Sequence, residues 1–197
     1  MTFIKLCGMT RPEDVALAAE LGADAVGFVL WPGSPRAVAP ARLAALVGAL
    51  PASTIPVGVF VTPSAGDIDR AVAAGIRVAQ VHGAIDARGA SSVTVWVARS
   101  LDTGVSDLPV ATTVVLDAHD PERHGGTGRT IDWSRAAQIA AGRRVVLAGG
   151  LTPANVTDAI RRVRPFGVDV ASGIEDRPGV KNAQAMTAFV AAVREAD

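Results

Sequence analysis

The chain has 197 residues, of which 49% are hydrophobic and 19% charged, with 19 basic side chains set against 19 acidic ones. Such a balance predicts one globular domain, 1–197, and excludes the charge excess that would draw nucleic acid or an anionic membrane. No apolar run approaches the ~20 residues of a bilayer span, and no signal-like apolar block precedes Lys5 and Arg11, so a cytoplasmic protein is expected. Cys7 is the one cysteine, which rules out an internal disulfide or a Cys-rich zinc site.

Short β-branched runs alternate along the chain with Ala-rich amphipathic stretches. In chain order, strands are predicted at 3–7, 25–30, 56–61, 78–82, 93–98, 112–117, 145–148 and 167–171. Helices are predicted at 11–21, 40–50, 64–74, 132–141, 153–164 and 183–196. Thr10 with Glu13 three residues on, Thr152 before Pro153, and Asn182 carry N-cap chemistry, while Gly22 and Gly75 mark two helix ends. The strands are nearly continuous apolar runs, the pattern of a parallel sheet covered on both faces.

Eight such units close naturally into an α/β fold, a single (β/α)₈ TIM barrel. At roughly 25 residues per unit the chain lies at the lower edge of that fold's size range. Residues 83–92 and 103–111 leave little room for helix, so the helices after strands four and five are expected to be shortened or irregular. An open doubly wound sheet is the competing architecture, but no Gly-x-Gly-x-x-Gly follows the first strand and no P-loop occurs.

In such a barrel the C-terminal strand ends meet in one mouth. The period of two places Lys5 and Cys7 on one face, and Ile4 and Leu6 on the other. If the aliphatic pair faces the helices, the ammonium is buried and needs a counter-charge; Asp169, on a neighbouring strand of the closed barrel, is the candidate. The pair serves either as a structural ion pair or in substrate binding. Near a cation the Cys7 thiol is expected to fall below its ordinary pKa, making a reactive thiolate; the alternative is a small buried hydrophobe.

Asp117 ends a strand of Thr, Val and Leu, where a carboxylate has no packing reason to be. His82 closes strand four as a third mouth residue or a hydrogen-bonded wall. Gly149-Gly150 after strand seven and Ser172-Gly173 after strand eight lie where this fold binds phosphate through backbone amides, which implies a sugar-phosphate ligand. Gly126, Thr127 and Gly128 sit in a long loop with the character of a lid. Arg36, between prolines after strand two, offers a fork for a carboxylate.

Lys5-Leu6-Cys7-Gly8, Ser34-Pro35-Arg36, Gln80-Val81-His82-Gly83, Leu116-Asp117-Ala118, Gly125-Gly126-Thr127-Gly128, Ala148-Gly149-Gly150-Leu151, Ser172-Gly173-Ile174-Glu175 and Pro178-Gly179-Val180-Lys181 together resemble phosphoribosylanthranilate isomerase. The resemblance spans nearly the whole chain in order. It implies an aldose–ketose isomerase of tryptophan biosynthesis that catalyses an Amadori rearrangement without metal or organic cofactor. It makes Cys7 the general base and Asp117 the general acid, gives Arg36 the anthranilate carboxylate, and gives the glycine turns the phosphate. Ala84 and Asn182 stand where the family often has acidic residues. The expected partner is a small sugar-phosphate substrate, with the chain a monomer or a homodimer. Two alternatives stay open on the residues alone. One is a metal-dependent sugar-phosphate epimerase using His82, Asp117 and His119; the other is a non-catalytic barrel that binds a sugar phosphate or a protein partner.

Overall fold

The computed structural model describes residues 1–84, 93–117 and 131–197. Eight parallel strands hydrogen-bond in sequence order and the first pairs with the last, closing a barrel. They are β1 (Phe3–Cys7), β2 (Ala25–Val29), β3 (Ile55–Val61), β4 (Val78–His82), β5 (Thr94–Arg99), β6 (Thr113–Leu116), β7 (Val145–Leu147) and β8 (Gly167–Val170). The helices are α1 (Pro12–Glu20), α2 (Pro40–Gly48), α3 (Ala65–Ala73), α4 (Trp133–Ala140), α5 (Val156–Val163) and α6 (Ala183–Ala196). Every predicted strand forms, and each end lies within one residue of its predicted position. Between β5 and β6 the chain runs through turns without a helix, as the shortness of that segment required. Residues 85–92, after β4, lie outside the described residues.

The parity of each strand sorts its side chains into two cores. Ile4, Leu6, Val26, Phe28, Ala79, Val81, Val114, Leu116, Val145, Leu147, Val168 and Val170 pack outward against the helices. Ala25, Val57, Val78, Trp96, Val115 and Val146 fill the barrel. Both faces of the strands other than β5 are therefore largely buried, which is why they read as unbroken apolar runs; the outward side of β5, at Val95 and Val97, is only half-buried. At the N-terminal end the barrel is floored by aromatics. Phe3 meets Trp96 edge-on at 5.8 Å and stacks on Phe166 at 5.2 Å, and the Arg144 guanidinium lies 3.6 Å above Phe166.

Two predicted helix starts are corrected. Thr10 does not cap α1: its hydroxyl donates to the carbonyl of Gly179, and the helix opens at Pro12 behind Arg11 with no side-chain cap, since a proline at the first position needs no N–H acceptor. Thr152 and Pro153 do not open α5, which begins at Val156. There Asn155 accepts from the Thr152 amide at 2.8 Å and donates to the Gly150 carbonyl at 2.9 Å, holding a turn ahead of the helix. Asn182 does cap α6, accepting from Ala185 N at 2.8 Å. Gly22 and Gly75 end α1 and α3 at φ of +72° and +99°, conformations suited to glycine.

One element was not predicted. After β8 and a short 3₁₀ turn (Ser172–Ile174), β9 (Glu175–Arg177) and β10 (Val180–Lys181) form an antiparallel ribbon beside the barrel mouth. Pro178-Gly179 turns it, with Gly179 at φ +79°, the signature of a type II turn.

Candidate active site

Three tiers of inward side chains rise from the aromatic floor. On β1 the sequence places Phe3, Lys5 and Cys7 on one parity, and the barrel turns that parity inward. Lys5 pairs in register with Asp169 on β8, and its Nζ donates to Asp169 Oδ2 at 2.8 Å. Lys5 is fully buried. Burial works against its charge, but Asp169 and Cys7 outweigh it, and the Lys5 pKa lies above the ordinary lysine value. The ammonium therefore keeps its proton in the core.

Cys7 stands one tier above, at the C-terminal end of β1, and is itself buried. Its register partner is Gly27 on β2, where a Cβ would come within 2.5 Å of Cys7 Sγ. The glycine is thus a notch that the thiol fills. Burial is the largest influence on that thiol and pushes its pKa up; Lys5 pulls it down, Asp169 pushes it up again, and the net direction is upward. The expectation of a lowered thiol pKa is therefore corrected. A neighbouring ammonium alone would lower it, but this one is already paired with a carboxylate, and the thiol is buried.

Gln80 and His82 face inward from β4, their amide and ring nitrogens 3.4 Å apart. Asp117 follows β6 on the parity of Thr113 and Val115, half-buried, with its amide donating to the Arg99 carbonyl at 3.0 Å. Cys7 and Asp117 thus end strands separated by β7 and β8 around the barrel. Gln80 Oε1 and Asp169 Oδ1 are buried acceptors that receive no hydrogen bond among the described residues, a placement suited to donor hydroxyls of a ligand.

After β7, Gly149 and Gly150 adopt φ of +79° and +66°, and their amides have no backbone acceptor among the described residues. Asn155 pins this turn from below. A Cβ at Gly173 would strike the Leu151 carbonyl oxygen, so only glycine lets the turns after β7 and β8 close on one another. The two glycine-bearing turns expected to hold phosphate are therefore brought together. Gly126, Thr127 and Gly128 lie outside the described residues, as does His119. Among the described residues no group of three or more His, Cys, Asp or Glu side chains is arranged to hold a metal.

Arg36 reaches the mouth, but its fork is already engaged. Its Nε donates to Glu175 Oε1 and Oε2 at 3.0 and 3.1 Å, and its Nη2 donates to Oε2 at 2.7 Å. Lys181 Nζ donates to Glu175 Oε1 at 2.8 Å and to the Ala171 carbonyl at 2.9 Å. Burial would raise the Glu175 pKa, yet the two cations hold it below the usual carboxylate value. Burial outweighs the pull of Glu175 on Lys181, and the Lys181 pKa lies below the ordinary lysine value.

A family model for N-(5'-phosphoribosyl)anthranilate isomerase matches residues 4–192. An N-(5'-phosphoribosyl)anthranilate isomerase of Pelobacter propionicus is 41% identical over 202 residues, covering 99% of this chain and 97% of that protein. The chain belongs to the phosphoribosylanthranilate isomerase family. The crystal structure of a family member from Thermus thermophilus superposes with a TM-score of 0.88 at 35% identity, covering all of both chains. A further family structure, solved with reduced 1-(o-carboxyphenylamino)-1-deoxyribulose 5-phosphate, superposes with a TM-score of 0.83 at 32% identity and covers 99% of this chain and 100% of that one. The eight-stranded barrel and its helices are thus the family's fold.

Sequence reasoning gave no role to Glu175, Lys181 or Gly27. The first two flank Pro178-Gly179 in an acidic-turn-basic order that signals a cross-strand pair. Gly27 carries no signal until β1 and β2 are set in register.

Proposed function

We propose that this protein converts N-(5'-phosphoribosyl)anthranilate to 1-(2-carboxyphenylamino)-1-deoxyribulose 5-phosphate by an Amadori rearrangement in tryptophan biosynthesis, with Cys7 as general base and Asp117 as general acid. Family membership over the full chain supports the substrate. The observation that carries the mechanism is the inward column of Lys5 and Cys7 on β1, facing the same mouth as Asp117.

Asp117, holding its proton, donates it to the furanose ring oxygen, and the bond from C1' to that oxygen breaks. The ring opens to a Schiff base on the anthranilate nitrogen. The iminium acidifies the proton on C2', which Cys7 takes as thiolate while the C–H electron pair becomes the C1'–C2' double bond. The enolamine then tautomerises to the ketone, C1' gaining a proton and the 2'-hydroxyl losing one. Each step is a proton transfer between positioned groups, typically contributing about 10²- to 10⁴-fold, so no metal or organic cofactor is required. A thiol whose pKa is raised gives a stronger base once ionised, and Lys5, in contact, holds its charge. Asp169 and His82 face the sugar, the turns at Gly149-Gly150 and Ser172-Gly173 receive the phosphate, and Arg36 receives the anthranilate carboxylate. The protein acts as one domain, 1–197, in the cytoplasm, as a monomer or a homodimer.

The test follows phosphoribosylanthranilate consumption by fluorescence for the wild type, Cys7→Ser and Asp117→Asn, with EDTA present. Turnover is expected to fall about 10²- to 10⁴-fold in each variant and to be indifferent to EDTA. Wild-type turnover in either variant removes the role of that side chain, and loss on chelation favours the metal-dependent alternative.

A further inference from the structure

A guanidinium carries five N–H donors in a planar fork. Glu175 occupies one edge of Arg36, the Nε–H and one Nη2–H. The other edge, the second Nη2–H and the Nη1–H beside it, has no acceptor among the described residues, nor has the remaining Nη1–H. That free edge is itself a two-donor match for a carboxylate. We propose that Glu175 is a positioning residue, clamping Arg36 by its Nε/Nη2 edge so that the Nη1/Nη2 edge is preset for the substrate carboxylate. The inference rests on the reading that Arg36 binds that carboxylate.

Glu175 is built to be a fixed anchor. Its side chain is buried, and Oε1 also accepts from Lys181 Nζ at 2.8 Å and Gly179 N at 3.2 Å. The ribbon bearing both residues is tied to α1: Lys181 N donates to Asp14 Oδ2 at 3.3 Å and Arg11 Nη2 to the Lys181 carbonyl at 3.1 Å. Arg36 crosses directly over Gly8, where a Cβ would come within 2.9 Å of its Cδ. The clamped guanidinium is thus held beside the residue following Cys7, which fixes where the aromatic end of the substrate lies relative to the base.

The test uses two substrates, N-(5'-phosphoribosyl)anthranilate and N-(5'-phosphoribosyl)aniline, which lacks the carboxylate, with Glu175→Gln, Glu175→Asp and Arg36→Ala. The amide nitrogen of Gln cannot accept, so it faces a donor on either the Arg36 or the Lys181 side and the clamp fails. Glu175→Gln is expected to lower the anthranilate-to-aniline ratio of kcat/KM about tenfold or more, mainly through KM, with the aniline substrate near wild-type; Glu175→Asp restores part of the ratio. Equal losses on both substrates, an unchanged ratio, or a rise in the ratio would each overturn the positioning role, the rise meaning that Glu175 merely competes for Arg36. Should Glu175→Gln not fold, Glu175→Asp alone decides, since a ratio equal to wild type sinks the proposal. Arg36→Ala reports separately: if it affects both substrates alike, it is the carboxylate-binding reading that fails.

Discussion

Replacing Lys5 with methionine keeps the stem's bulk while deleting its charge. In the native barrel Nζ lies 2.8 Å from Asp169 Oδ2 with both side chains buried, and Asp169 Oδ1 receives no donor among the described residues. Lys5→Met therefore strands a buried carboxylate, and breaking one side of a buried pair costs about 3–5 kcal/mol. With a urea slope of about 2–3 kcal/mol/M, the unfolding midpoint should fall by about 1–2.5 M at neutral pH. Asp169→Asn in the same background removes the stranded charge and should recover at least half of the loss. The pH dependence has a definite sign. Because the folded Lys5 pKa is raised, its contribution is complete below the ordinary lysine value and is lost as pH climbs through the folded one, so wild type and Lys5→Met should converge only in strong alkali. Urea denaturation followed by circular dichroism measures all three proteins. A Lys5→Met midpoint shifted by less than ~0.3 M, under about 1 kcal/mol, or a double variant no more stable than the single, refutes the reasoning.

Gly27→Ala puts a methyl where Cys7 Sγ sits; kcat should fall about tenfold or more, a misplacement effect, with KM less affected, and steady-state kinetics with unchanged kcat would show that the thiol has room to move. The ultraviolet absorbance of the thiolate, taken against Cys7→Ser, should titrate in the free enzyme above the ordinary cysteine value, and a midpoint below it would restore the lowered thiol. The Glu175 pKa is lowered in the fold, so its stabilisation is present above the ordinary carboxylate value and lost as pH falls through the folded one. Melting of Glu175→Gln should accordingly lose less stability than wild type on acidification, and parallel acid limbs would contradict the anchoring of that carboxylate.

How much of this was legible depended on whether a residue's setting is local. The strands could be read because burial on both faces leaves an apolar run bounded by turns; parity then placed Lys5 and Cys7 together, the need for a counter-charge pointed to Asp169, and the want of a packing reason singled out Asp117. Thr10 misled because its hydroxyl has a competing partner 169 residues away, the Gly179 carbonyl. The ribbon of Glu175–Arg177 and Val180–Lys181 escaped notice because strands of three and two residues are too short to show a period. Arg36 was read as a fork for a carboxylate, but its internal partner Glu175 escaped notice, since the two meet only when β2 and β8 are brought to one rim. For Cys7 the sequence supplied the neighbouring charge but not the depth of burial, and burial decides the direction.

Phe166 lies flat on Phe3 and Trp96 meets Phe3 by its edge; among the described residues these rings stop up one end of the cylinder and leave the opposite rim as the doorway. Whatever is made inside must back out along the route by which its precursor came in, and while it lingers no fresh molecule can take its place. Accumulated product should therefore exclude substrate in a strictly competitive manner.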